Sequence, residues 1–136
     1  MKIMKPKSYM CRFYILEGVN IVTDSDDVPE LFLKVKINGK EEDLEAKTLR
    51  QSANPMFYIL YEFPLEIPGP SYIELSVWIK GSFGDSEKIG FTEIDLEDRY
   101  FSVMWHKYEL KPIELRNLHQ EDGSSVGRIK MWVDLV

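Results

Sequence analysis

Apolar and polar residues alternate along much of the chain, which is typical of strands that bury one face. Between Leu75 and Lys80, the residues Leu75, Val77 and Ile79 alternate with Ser76, Trp78 and Lys80. The same period of two runs through Met10–Leu16, Leu31–Ile37 and Arg128–Val136. We predict a strand in each segment, with its apolar set directed toward the core.

Turn signals separate these segments. Asn38-Gly39 predicts a hairpin after Leu31–Ile37, and we expect Lys40–Glu45 to be a charged linker. The long apolar run Met56–Ile67 predicts a central strand that ends at a Pro-Gly-Pro turn. Two glycines in Gly81–Ser86 predict an exposed loop, after which a strand resumes from Ile89 to Leu96, where Gly90 allows a close backbone approach.

The period changes after Asp95. Leu96, Tyr100, Val103 and Met104 fall at helical spacing, which predicts one short helix around residues 97–106 with Asp95 as its cap. About eight short strands and one small helix predict an all-β, eight-stranded antiparallel β-sandwich. Residues 1–8 lack periodicity and are expected to form a disordered leader, with residues 9–136 as a single domain.

Composition narrows the classes of function. The chain has 136 residues, of which 44% are hydrophobic, so it can bury a core. Seventeen basic and twenty-three acidic side chains give a net charge of −6, which argues against nucleic acid as a partner. Cys11 is the single cysteine, so no disulfide can form within the chain and a reducing compartment is expected.

Catalytic motifs are missing from the sequence. The histidines, His106 and His119, stand in no metal or nucleophile pattern, and Cys11 lies in the middle of a predicted strand. We therefore expect a protein that is not an enzyme.

An acidic loop precedes the strand that starts at Leu31. Asp24, Asp26, Asp27 and Glu30 lie within a few residues of one another. Carboxylates this close either share a cation or face solvent. The sequence leaves both interpretations open.

Several motifs resemble a C2 domain of the ferlin family, and the resemblance extends over nearly the whole chain after Tyr9. They are Ile73-x-Leu75-Ser-Val-Trp78, Glu87-Lys-Ile-Gly90, Ile94-Asp-Leu-Glu-Asp-Arg99, Asn54-Pro-Met-Phe57 before Tyr61-Glu-Phe63, and the tail segments Lys111–Arg116 and Gly127–Leu135. The resemblance implies a Greek-key β-sandwich in which two loops at one end carry aspartates that bind calcium and, through it, anionic lipid headgroups.

The resemblance places candidate calcium ligands at Asp24, Asp26, Glu30 and Asp85. It also places Ile79, Lys80 and Gly81 where calcium-binding members carry Asp-x-Asp. Isoleucine and glycine offer no side-chain oxygen, and the charge of Lys80 opposes a divalent ion. We therefore expect a degenerate site, no cofactor and calcium-independent binding of proteins or phospholipid; the alternative is calcium-dependent lipid binding through one weak ion.

Two further surfaces are candidates for contact with lipid or a partner. Lys34 and Lys36 form a basic patch with Lys47 and Arg50, or they are ordinary lysines that protect a sheet edge. Phe83 inserts into a bilayer, or it folds back onto the sandwich.

The resemblance also implies a setting. It suggests a large, membrane-anchored protein of vesicle fusion or membrane repair, with this domain on the cytosolic side. The partners would be a phospholipid membrane or neighbouring domains and proteins, and the sequence does not define the oligomeric state.

Overall fold

Eight antiparallel strands form the fold in a computed structural model, which describes residues 7–21, 30–44, 54–67, 72–80, 85–97, 111 and 113–136. Their bounds are β1 Lys7–Val19, β2 Leu31–Ile37, β3 Lys40–Asp43, β4 Met56–Ile67, β5 Tyr72–Lys80, β6 Ser86–Asp95, β7 Glu114–His119 and β8 Ser125–Leu135. The predicted all-β class is confirmed. Of the predicted helix around 97–106, Glu97 is helical together with Leu96, and the remainder lies outside the described residues.

The strands follow the order β3-β2-β5-β6-β7-β8-β1-β4 in one curled sheet. Its two four-stranded halves are joined at the pair Phe91↔His119 between β6 and β7. Arg116 on β7 strengthens this junction, because its guanidinium donates to the Glu93 carbonyl at 2.7 Å and to the Thr92 hydroxyl at 3.2 Å. The halves β3-β2-β5-β6 and β7-β8-β1-β4 are called the first and second half below.

One apolar core lies between the halves. The predicted inward residues of β1, Cys11, Phe13 and Ile15, are fully buried, as are Leu75 and Val77 of β5. A single buried cluster contains residues from both halves, including Val35 of β2 and Met131 of β8. The alternation in the sequence therefore identified the core face of these strands.

One turn and one close backbone approach agree with their asparagine and glycine signals. Asn38 and Gly39 have φ values of 51° and 83° and connect β2 to β3, as a two-residue hairpin requires. Gly90 allows close packing of β6, since a Cβ atom there would lie 2.5 Å from Cγ2 of Val126.

Two strand assignments need correction. Lys40–Glu45 was expected as a linker, but Lys40–Asp43 forms β3 because the tight hairpin brings it beside β2. Met56–Ile67 is β4 and stands at the end of the strand order, not in the centre. It alternates buried and exposed residues and contains Pro64, which cannot donate a backbone hydrogen bond, and both features suit an edge strand.

The expected leader is shorter than residues 1–8. Lys7 and Ser8 already belong to β1, where they pair with Ile67 and Glu66 of β4. Residues 1–6 lie outside the described residues.

A hydrogen bond connects the two strands at the ends of the order. The Tyr61 hydroxyl on β4 donates to the Glu42 carboxylate on β3. Burial, together with this hydrogen bond and the negative charge of Glu42, raises the pKa of Tyr61 to about 12. As long as Tyr61 is protonated, the bond therefore links β4 to β3, the two edge strands of the sheet.

Tyr61→Phe should lower the unfolding free energy by about 1 kcal/mol at neutral pH, because the hydrogen bond to Glu42 is lost. The pKa of Tyr61 is raised from 10.0 to about 12, so its contribution is complete below pH 10.0 and disappears as the pH rises through about 12. Urea unfolding at increasing pH should show the difference between the two proteins shrinking above pH 10.

Tyr58→Phe is the matched control, because Tyr58 lies on the same strand and is 66% exposed. Its difference from the wild type should stay constant over the same pH range. Parallel stability curves for wild type and Tyr61→Phe would contradict the role assigned to the bond.

Candidate functional site

One end of the first half gathers the described residues of the predicted calcium site. Glu30 immediately precedes β2, Lys80 ends β5, and Asp85 immediately precedes β6. Leu31 pairs with Ile79, and Lys80 pairs with Ser86. The Lys80 N–H donates to the Glu30 carbonyl at 3.0 Å, so the three side chains occupy neighbouring strand ends.

All three side chains are exposed. The structure therefore places Glu30 and Asp85 at the same end, with the cationic Lys80 on the strand between them. Asp24 and Asp26, the other predicted ligands, lie outside the described residues.

Two of the four predicted calcium ligands, Glu30 and Asp85, lie at this end among the described residues. Calcium takes six to eight oxygen ligands, but Ile79 has no side-chain oxygen and packs against the core. Lys80, whose backbone N–H is bonded to the Glu30 carbonyl, carries a cationic side chain at this strand end. Within the described ranges, no group of three His, Cys, Asp or Glu side chains lies close enough to hold a metal.

Lys34 is part of the packed surface and not of an open basic patch. Its Nζ atom lies 4.0 Å from the ring centroid of Trp78 and 3.6 Å from Oε1 of Glu41. Its side chain is only 19% exposed. Because the ammonium is already engaged with an aromatic face and a carboxylate, it is badly placed to receive a lipid phosphate.

Lys36 is exposed on the same strand, but its neighbours are acidic. Across the strands it pairs with Glu41 of β3 and Glu74 of β5. A groove of about 420 Å³ beside it is also lined by Glu74 and Glu93. Lys47, Arg50 and Phe83, the remaining predicted contacts, lie outside the described residues.

The same groove is lined by Tyr72. The charge of Asp95 and a hydrogen bond to it raise the pKa of the Tyr72 hydroxyl. This part of the surface therefore has a negative potential, which does not favour an anionic headgroup.

Phe32 alternates with the inward residues Leu31, Leu33 and Val35 of β2 but is itself only 1% exposed. Its ring stacks on Trp78 at a centroid distance of 6.3 Å. Trp78 also donates from Nε1 to the Ser76 hydroxyl at 2.9 Å. The outward side of β2 and β5 is therefore a second packed layer, over which the Lys34 ammonium lies.

Sequence reasoning missed an apolar row on the outward side of the second half. Leu60, Tyr14 and Trp132 pair side by side across β4, β1 and β8. The rings of Tyr14 and Trp132 stack with centroids 3.9 Å apart. The available signal was Met56, Tyr58 and Leu60 on β4, which are large apolar residues that alternate with buried ones.

No helix within the described ranges is long and apolar enough to cross a membrane.

Lys34→Met should lower the unfolding free energy by roughly 0.5–1 kcal/mol, because it removes the ammonium above Trp78 and keeps a similar stem. Lys36→Met is the matched control and should change stability by less than about 0.5 kcal/mol. Urea unfolding of both variants provides the measurement. Equal losses would show that Lys34 is not part of the packed layer.

Comparisons with known proteins identify the fold. The family model for the C2 domain matches residues 10–113. Among solved structures, a C2 domain of plant Extended Synaptotagmin 1 has a TM-score of 0.71 at 15% identity, with 93% of each chain covered. Human GIVD cytosolic phospholipase A2 has a TM-score of 0.68 at 13% identity over 96% of this chain and 17% of its own.

The curated relatives are ferlins. Ferlin 2 of Toxoplasma gondii is 34% identical over 140 residues, which is 96% of this chain and 10% of the relative. Myoferlin of Mus musculus is 28% identical over 98 residues, or 71% of this chain and 5% of the relative. The chain thus spans about a tenth or less of the length of these relatives. The resemblance drawn from the sequence motifs is confirmed: the chain belongs to the C2 domain family, and its curated relatives are ferlins.

Proposed function

We propose that this C2 domain is a calcium-independent, non-enzymatic interaction module of a ferlin-like membrane-trafficking protein. It contacts neighbouring domains, other proteins or phospholipid without a cofactor. The observation that carries the proposal is the position of Lys80, whose backbone is bonded to Glu30 at the strand end where the resemblance expects acidic ligands.

Electrostatics supports calcium independence. Two unit charges a few ångströms apart near a protein surface oppose each other by about 4 kcal/mol at an effective dielectric constant of 20. Lys80 therefore offsets much of the attraction that Glu30 and Asp85 offer to a cation. Ile79 removes a further ligand, because its side chain turns toward the core.

The alternative is a calcium-dependent phospholipid-binding domain with one weak ion. The observation that favours it is that Glu30 and Asp85 meet at one end of the first half. In this alternative Asp24, Asp26, Glu30 and Asp85 supply the carboxylate oxygens. Glutamate and aspartate are suitable ligands for calcium, provided that enough oxygens converge.

The chemistry of the described residues supports binding and not catalysis. The His119 ring packs at 4.6 Å from the Phe91 ring, and Cys11 is fully buried in β1. An activated nucleophile needs a base within hydrogen-bonding reach. His119 lies on β7 and Cys11 on β1, and both side chains pack against apolar neighbours.

The setting is also part of the proposal. The domain would belong to a larger chain, because its relatives are ten or more times longer than the matched segment. The resemblance to ferlins implies that this chain is membrane-anchored, with the domain on the cytosolic side. Its partners would be phospholipid or other domains, and nucleic acid is disfavoured by the net charge of −6.

A calorimetric titration with calcium up to about millimolar concentration should give no binding heat, because Ile79 and Gly81 provide no side-chain oxygen and Lys80 is cationic. The melting temperature should be the same with calcium and with a chelator. A double variant, Asp24→Asn with Asp26→Asn, serves as the control and should behave like the wild type. Heat and a rise in melting temperature that the double variant abolishes would establish the calcium-dependent alternative instead.

A further inference from the structure

The outward side of the second half has more exposed apolar surface than the first half. Large exposed apolar side chains stand on β1, β4 and β7; they are Met10, Met56, Tyr58, Leu60 and Leu115. Among the described strands of the first half, Tyr72 is the one large apolar residue that is similarly exposed. Contiguous apolar surface on a soluble domain often marks an interaction site.

The register makes this surface continuous. Tyr14 lies between Leu60 on β4 and Trp132 on β8. Met56 and Tyr58 extend the row along β4, at 53% and 66% exposure. The face made by Leu60, Tyr14, Trp132, Met56 and Tyr58 is called the apolar row below.

Backbone strain gives a second, independent indication. Tyr58 has φ 46°, a left-handed conformation that is unfavourable for a tyrosine. It lies in a bulge, since β4 has two residues between Met56 and Ile59 where β1 has one between Glu17 and Ile15. Bulges redirect side chains, and strain is stored preferentially at functional sites.

The composition of the face is that of a protein interface. Tyrosine, tryptophan, methionine and arginine are enriched at the centres of such interfaces. Besides the aromatic and methionine residues of the row, Arg12 lies on the same face, opposite Glu62 and Asp134. Its Nε atom is buried, has no hydrogen bond among the described residues and lies 4.0 Å from Oε1 of Glu62, so the guanidinium is held beside that carboxylate.

The charged side chains on this face determine which class of partner can bind the apolar row. Arg12 lies 4.0 Å from the Glu62 carboxylate, and Lys130 lies 3.1 Å from that of Glu17. Arg128, also outward on β8, lies beyond Lys130 at the far end of the face. In the part of the chain that the structure describes, the row therefore has no cluster of cations for anionic lipid. Glu62, Glu66 and Asp134 would repel the same groups on a second copy.

We infer that the apolar row binds a folded protein surface with an apolar centre and a rim of lysine and arginine side chains. The inference rests on the proposed function, since it names the class of partner for that interaction module. Apolar contacts at Leu60 and Trp132 supply the affinity, and the basic rim meets Glu62, Glu66 and Asp134.

Site-specific photo-crosslinking tests the inference. A benzophenone amino acid replaces Leu60 in the protein expressed in its own cells, and the adducts are identified by mass spectrometry. The same amino acid at Tyr72, an exposed aromatic position of the first half, is the matched control. We expect a protein adduct from position 60 that position 72 does not give.

The identified partner is then purified and titrated with the domain by calorimetry. Leu60→Asp and Glu62→Lys should each weaken binding by about tenfold or more, whereas Tyr72→Ala should leave it unchanged. Thermal melts establish that each variant is folded. Raising the salt concentration should weaken binding to the wild type, because the rim contacts are ionic.

Other results overturn the inference. An adduct to a second copy, with dimers that Leu60→Asp abolishes in sedimentation, would make the row a self-association face. Pelleting with phosphatidylserine vesicles that Leu60→Asp abolishes would make it a membrane contact. The inference is also refuted if position 60 gives no more adduct than position 72. It is refuted as well if Leu60→Asp leaves the affinity of the identified partner unchanged. None of these outcomes bears on calcium independence, which the calcium titration tests separately.

Discussion

Apart from β3, whose four residues are all exposed, each strand of this domain has two faces, and only one of them can reach the core between the two halves. The inward faces are satisfied by apolar packing around residues such as Phe13, Leu75 and Met131. The outward faces must be covered, charged or used for binding. The two halves differ in how far their outward faces are covered by their own side chains, and the proposed binding surface follows from that difference.

The first half covers its outward face with its own side chains. Phe32 and Trp78 stack there, and the Lys34 ammonium lies above Trp78. Lys34, which the sequence left as either a lipid contact or an edge-protecting lysine, is thus engaged with Trp78 and Glu41 in the structure. The second half leaves Leu60, Tyr58 and Met56 exposed beside the Tyr14 and Trp132 stack. We interpret that face, and not the lysines, as the surface available to a partner.

The inward faces were predictable because a period of two needs only the sequence, as Cys11, Phe13 and Ile15 illustrate. Strand neighbours were not, since they depend on distant pairings: β4 is long and apolar yet lies at an edge. The burial of Phe32 does not follow from the alternation either, because its partner Trp78 belongs to another strand. Of the predicted calcium ligands, Glu30 and Asp85 do converge on one end, whereas Asp24 and Asp26 lie outside the described residues.

The proposed calcium independence depends on Lys80, which stands at the strand end beside Glu30. The most direct test is co-sedimentation of the domain with phosphatidylserine vesicles, in saturating calcium and in chelator. If calcium is not needed, the same fraction of the domain should pellet under both conditions, because no ion bridges the domain to the headgroups. A bound fraction that rises with calcium and falls again with chelator would contradict it.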